Sequence, residues 1–97
     1  MIEYLYDAIR ATAASEFTVT ANITDRNAVL ITDSCHLMIY DTDKETLIAT
    51  IDGEFDGKED WNFTIPAEIT KGLKGRYWYC ICHHDDHLCF KQPLYLV

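Results

Sequence analysis

The sequence predicts an all-β sandwich of about seven strands with one short helical turn near 66–72. Short apolar runs recur roughly every eight to twelve residues, with turn-forming residues between them. Several runs alternate apolar and polar side chains with a period of two, as half-buried strands do. Beyond the opening segment, "PAEITKGLKG" is the stretch that carries helix start and stop signals. The 97 residues fit a single domain, 1–97. Such a chain can bury one core, but not a core plus a deep catalytic cleft.

The opening segment, 1–15, fits two periods. Ile2, Leu5, Tyr6 and Ile9 follow helical spacing, whereas Tyr4, Tyr6 and Ala8 would serve a strand. It is expected either as a first edge strand paired with the run that follows, or as a docking arm presenting Ile2, Tyr4, Leu5 and Tyr6. "FTVTANIT", 17–24, puts Phe17, Val19, Ala21 and Ile23 on one face and Thr18, Thr20, Asn22 and Thr24 on the other. "DRNA", 25–28, is a turn. "CHLMIYD", 35–41, and "TLIATID", 46–52, are strands joined by the hairpin turn "DTDKE". "GEFDGKED" is a polar connection, and "WNFTI", 61–65, alternates again with Trp61, Phe63 and Ile65 together. Pro66 can open a helical turn that Gly72 closes in the left-handed conformation. "RYWYCICHH" and "HLCFKQPLYLV" finish the chain as two long strands. The expected core is Phe17, Val19, Ile23, Leu37, Ile39, Trp61, Phe63, Ile65, Tyr77, Tyr79, Ile81, Leu88 and Phe90.

Seven strands is the count of an immunoglobulin-like β-sandwich. "GLKGRYWY" adds a local signature. Leu73, Gly75 and Tyr77 resemble a tyrosine corner, in which a Tyr hydroxyl bonds back to the backbone at the turn before a strand.

"YWYCICHHDDHLCF" carries the most chemistry. Three cysteines and three histidines fall within ten residues, Cys80 to Cys89. With Asp85-Asp86 as a two-residue loop, His84 opposes His87, His83 opposes Leu88, and Cys82 opposes Cys89. Tyr79, Ile81, His83, Leu88 and Phe90 then share the core face. Cys80, Cys82, His84, His87, Cys89 and Lys91 share the outer face. That grouping suggests a zinc site of Cys82, His84, His87 and Cys89. Same-face neighbours along a strand lie about 6.6 Å apart, wide for one small ion. The C-x2-C knuckle is also missing. A Cys82–Cys89 disulfide is the other alternative. The plain reading has no metal and no cofactor: the cysteines are half-buried strand residues, and His83, His84 and His87 decorate a loop tip that can serve as a contact surface.

The formal net charge of −8 argues against a nucleic-acid partner, since phosphate binding needs clustered Lys and Arg. No apolar run reaches the roughly 20 residues that cross a bilayer, so no membrane partner is expected. The N-terminus lacks a secretory pattern, so the chain is expected inside a cell or assembled there. Asp41, Asp43 and Glu45 resemble half of a calcium loop without its glycine and terminal glutamate. Asp52, Glu54, Asp56, Glu59 and Asp60 read as a solvated acidic connection. No phosphate-cradling glycines or serine elbow are present, so no enzyme is expected and no catalytic residue is assigned. Trp78, Tyr40 and Tyr95 are the aromatics that a carbohydrate-binding sandwich would need on one face.

From about Phe17 to the C-terminus the chain resembles small immunoglobulin-like structural domains of tailed bacteriophages. "FTVTANITDRNAVLIT" and "WNFTIPAEITKGLKGRYWY" carry the resemblance, with Phe63-Thr64-Ile65-Pro66 leading to Leu73, Gly75 and Tyr77. The resemblance implies a non-enzymatic virion protein, foremost a head decoration (cement) protein bound to the major capsid protein. A tail or baseplate component is the nearest alternative. It implies assembly in the host cytoplasm, residence in the virion, and partners among virion proteins or further copies of itself. A small zinc-binding protein using the 80–89 hairpin is the alternative of a different class.

Overall fold

The computed structural model describes residues 8–25, 27–84, 86–87 and 91–97, with the backbone alone at 86–87. The fold is a β-sandwich with one short helix. Its elements are β1 (Ile9–Ala11), β2 (Phe17–Asn22), β3 (His36–Tyr40), β4 (Leu47–Asp52), β5 (Glu54–Phe55), β6 (Asp60–Ile65), α1 (Ala67–Thr70), β7 (Gly75–His83), β8 (Asp86–His87) and β9 (Gln92–Leu96). The larger sheet runs β1-β9-β7-β3-β4, with β8 paired to β7. The smaller runs β2-β6-β5. β1 is parallel to β9, and the other described pairs are antiparallel.

The alternation seen in the sequence builds the smaller sheet. Phe17, Val19 and Ala21 pair with Ile65, Phe63 and Trp61, and all six face inward. The residues between them face out. Thr18 and Thr64 hydroxyls meet at 3.1 Å, and Thr20 Oγ1 donates to Asn62 Oδ1 at 2.7 Å. Opposite this layer, Leu37, Ile39, Tyr77, Tyr79, Ile81, Leu94 and Leu96 supply the other half of the core. The space beside Ile9, Phe17, Leu37, Tyr79 and Leu94 is too small to admit a water molecule. Trp61 Nε1 donates to the Ile31 carbonyl at 2.7 Å, pinning the segment before β3 to the core.

Aspartates make the turns, as their short acceptors favour. Asp25 Oδ1 accepts from Asn27 N and Val29 N. Asp43 Oδ1 accepts from Glu45 N and Thr46 N. Asp56 Oδ1 accepts from the amides of Lys58, Glu59 and Asp60. The carboxylates of Asp43 and Asp56 are thus engaged with backbone. Pro66 sits at the N-cap of α1, one place before the first helical residue, and Gly72 takes φ +82° after its end. Thr70 is the buried polar residue among those described, and its hydroxyl accepts from Ala14 N at 3.0 Å. Lys74 N donates to Tyr77 Oη at 3.3 Å, so the Tyr77 hydroxyl bonds back to the backbone at the turn before β7.

Several expectations change. The first strand does not pair with β2. It pairs with β9, where Ile9 and Ala11 join the core and Ala13 N donates to Val97 O. β2 already has β6 as its partner, and its other side is the edge of the smaller sheet. Residues 2 to 6 lie outside the described residues. The polar connection contains β5, whose Phe55 ring lies 5.5 Å from Trp61; two residues are too few to show a period. The last strand is two pieces, β8 and β9. Tyr79 faces Gln92 as the expected register requires, but Cys82 faces His87 and His83 faces Asp86. Three steps along β7 therefore match five on the returning chain. Asp86 is therefore a paired strand residue and not part of a loop at 85–86. A shift of two preserves which face each strand residue takes. Of the expected core, Phe17 and Val19 are half-buried, Leu88 and Phe90 lie outside the described residues, and the other nine are buried. Leu94, Leu96, Ile51 and Cys35 join them.

Candidate functional site

Two places on the larger sheet gather polar chemistry. The first is the tip of β7. Along this strand Tyr77, Tyr79 and Ile81 point inward, and His83 continues that side beyond the core. His84 follows at φ +55°. Neighbouring side chains on a regular strand point to opposite faces; here the left-handed residue brings the second imidazole round to the first. The ring centroids are 4.2 Å apart. Both rings address Asp33, in the segment leading to β3. His83 Nε2 lies 2.9 Å from Oδ1 and 3.0 Å from Oδ2, and His84 Nε2 lies 3.0 Å from Oδ2. The hydrogen bond from His83 is the largest cause holding the Asp33 carboxyl down at about 2, with the Ser34 amide adding to it. His84 and Asp33 are exposed, and His83 is one-quarter exposed.

The second place is the outward face of the larger sheet. Trp78 pairs with Tyr40 on one side and Pro93 on the other, and Tyr40 pairs with Leu47. Cations lie over these rings. Lys44 Nζ is 4.3 Å and Arg76 Cζ 4.6 Å from the Trp78 ring centre, and Lys91 Nζ is 3.9 Å from that of Tyr40. Lys91 also donates to the Lys44 carbonyl. Arg10 joins this face through the row Arg10, Tyr95, Arg76. Four of the eight basic residues in an acidic chain thus share one sheet face. Beneath the aromatics, Cys80 Sγ lies 3.9 Å from Cys82 Sγ, which lies 3.5 Å from Met38 Sδ. Burial, then the neighbouring Cys80, raises the Tyr40 phenol to about 12. Burial likewise raises the Cys35 thiol to about 12.

The residues singled out from the sequence separate into groups. His83 and His84 come together. Cys80 and Cys82 are fully buried, not half-buried, because Met38, Tyr40 and Trp78 cover the outward face there. Of the ligands of the alternative zinc site, Cys82 is buried against Cys80 and Met38, while His84 is exposed on Asp33. His87 is paired with Cys82 in β8, and its side chain, like Cys89, lies outside the described residues. Ile2, Tyr4, Leu5 and Tyr6 lie outside them too. Trp78 and Tyr40 lie beneath cations, and Tyr95 is exposed on the same face. Asp33 was missed: it stands 50 residues from His83 in an ordinary "TDS" loop, and no local pattern marks it.

No family model matches this chain, and neither the curated proteins nor the solved structures contain a match to it.

Proposed function

We propose that this chain is a non-enzymatic binding module, immunoglobulin-like in topology, that decorates the head of a tailed-phage particle by docking on the shell protein. The cation-and-aromatic face of the larger sheet carries this reading. Arg and aromatic residues are enriched in protein interfaces, and electrostatic complementarity steers and orients docking. On a chain of net charge −8, a face holding Lys44, Arg76, Lys91 and Arg10 selects an acidic partner surface. The strand order supports the immunoglobulin-like part. β2-β6-β5 follows the B-E-D order, and β9-β7-β3-β4 follows G-F-C-C′. The bond between Lys74 N and Tyr77 Oη supports it further.

The test is particle association. Particles gradient-purified from the lysate that makes this chain should carry it at a fixed ratio to the shell protein. Arg76→Glu combined with Lys91→Glu should remove it from the particle while the isolated domain stays folded. A chain that remains wholly soluble, or one found on separated tails alone, would overturn the head-decoration reading.

A further inference from the structure

We infer that Asp33, His83 and His84 form a binding site for one divalent transition-metal ion of the zinc class, separate from the docking face. Two imidazoles and a carboxylate are a donor set that such ions accept, with the remaining positions left to water. The three donor atoms lie within 4.8 Å of one another. Bonds of about 2.0–2.2 Å to a tetrahedral ion place donors roughly 3.3 Å apart. The imidazole-to-carboxylate distances of 2.9 and 3.0 Å are already close to that spacing. Small side-chain rotations would admit an ion in place of the three imidazole-to-carboxylate contacts. Each neutral imidazole would ligate through Nε2 and carry its single proton on Nδ1 as the ion binds.

The backbone is arranged for this convergence. His83 is held at the end of a nine-residue strand, so its position is set by the sheet. His84 reaches the same carboxylate because it adopts φ +55°, a conformation uncommon for a side chain of its size. Asp33 arrives from the far side, two residues before Cys35, which is buried in the core. The three ligands come from two segments that the fold fixes independently. With Asp33 59% and His84 65% exposed, an ion has open access and room for water ligands.

The experiment is calorimetric titration of the full chain with zinc chloride alone, at neutral pH and with its thiols kept reduced. One ion should bind per chain. Asp33→Ala and His84→Gly should each weaken binding by at least ~10-fold; glycine retains the left-handed backbone at 84. Thermal unfolding of each variant without metal checks that the fold is kept. Cobalt titration should show no thiolate charge-transfer band. No saturable binding at millimolar zinc would overturn the site. Binding that survives both variants, or falls with Cys89→Ser instead, would also overturn it by assigning the ion to other donors.

Discussion

Gly53 shows how closely this sandwich is packed. A Cβ added there would sit 2.6 Å from Phe63 Cε1, 2.9 Å from Trp61 Cε3 and 3.1 Å from the Cys35 carbonyl. Two of those atoms belong to buried rings, and the third is backbone that accepts the Gly53 N–H at 2.9 Å. Gly53→Ala should therefore cost about 1–3 kcal/mol, the range for overpacked cores, measured by denaturant unfolding. Wild-type stability in that variant would show that the rings move aside freely. Tyr77→Phe removes the hydroxyl that accepts from Lys74 N and should cost about 0.5–1.5 kcal/mol. The thiols give a chemical check. Cys35, Cys80 and Cys82 are buried, and only a thiolate is nucleophilic. In the native protein these three should resist alkylation and should label together on unfolding, as peptide mass spectrometry would read. Fast native labelling of Cys80 or Cys82 would mean that the Met38–Tyr40–Trp78 cover opens.

Turns and strand pairings explain what the sequence disclosed and what it concealed. β2 and β6 were legible because each alternates over at least five residues, and β3 and β4 because their short apolar runs are bounded by Asp-rich turns. The bond from Lys74 N to the Tyr77 hydroxyl was legible because it spans three residues. The partner of β1 was not, since pairing is a long-range choice and Ile9 and Ala11 fit any edge that buries them. The hairpin register was legible at its base and wrong at its tip, because two extra residues in the returning chain leave the face pattern unchanged. The Asp33 contact was hidden for the same reason as β1: the sequence holds no record of which distant loop reaches a strand end. The turn at Asp43 makes a prediction of its own. Hydrogen bonds, first from the Thr46 hydroxyl, hold the Asp43 carboxyl at about 2, below its ordinary 3.8. The Asp56 carboxyl is lowered too, first by the Lys58 amide. A carboxyl lowered on folding contributes stability that is full above its unfolded value and lost as pH falls through the folded one. Acid should thus weaken these turns between about pH 4 and pH 2. Asp43→Ala should flatten that part of the stability–pH curve, and an unchanged slope would show that the turn does not depend on the ionised carboxylate.

Charge is distributed unevenly over the two sheets, and this asymmetry bears most directly on function. The outward face of the smaller sheet carries Thr18, Thr20, Asn22, Asn62 and Thr64, with the carboxylates of Asp60 beside Asn22 and Glu54 beside Asn62, and no basic residue in these pairs. Its cross-strand partners already satisfy one another, which leaves it little to offer a partner. The larger sheet presents Lys44, Arg76 and Lys91 over Trp78 and Tyr40, with Arg10 beside Tyr95. The remaining basic residues are Arg26, Lys58, Lys71 and Lys74, so half of the positive charge of a chain with sixteen acidic and eight basic residues gathers on this one face. Such a molecule approaches an acidic surface with one face forward, because every other orientation is repelled. Salt should then act on docking and leave folding nearly untouched. Raising it from about 0.1 M to about 1 M shortens the screening length from ~10 Å to ~3 Å. If the chain docks on a particle as proposed, it should release over that range, while its thermal midpoint, set by the apolar core, moves little. Arg76→Glu with Lys91→Glu should reproduce the release at low salt. Removing each cation from its ring should cost the fold only about 0.5–1 kcal/mol. Docking that persists at high salt and in the double variant would place the interface elsewhere and leave the cation-and-aromatic face as ordinary surface.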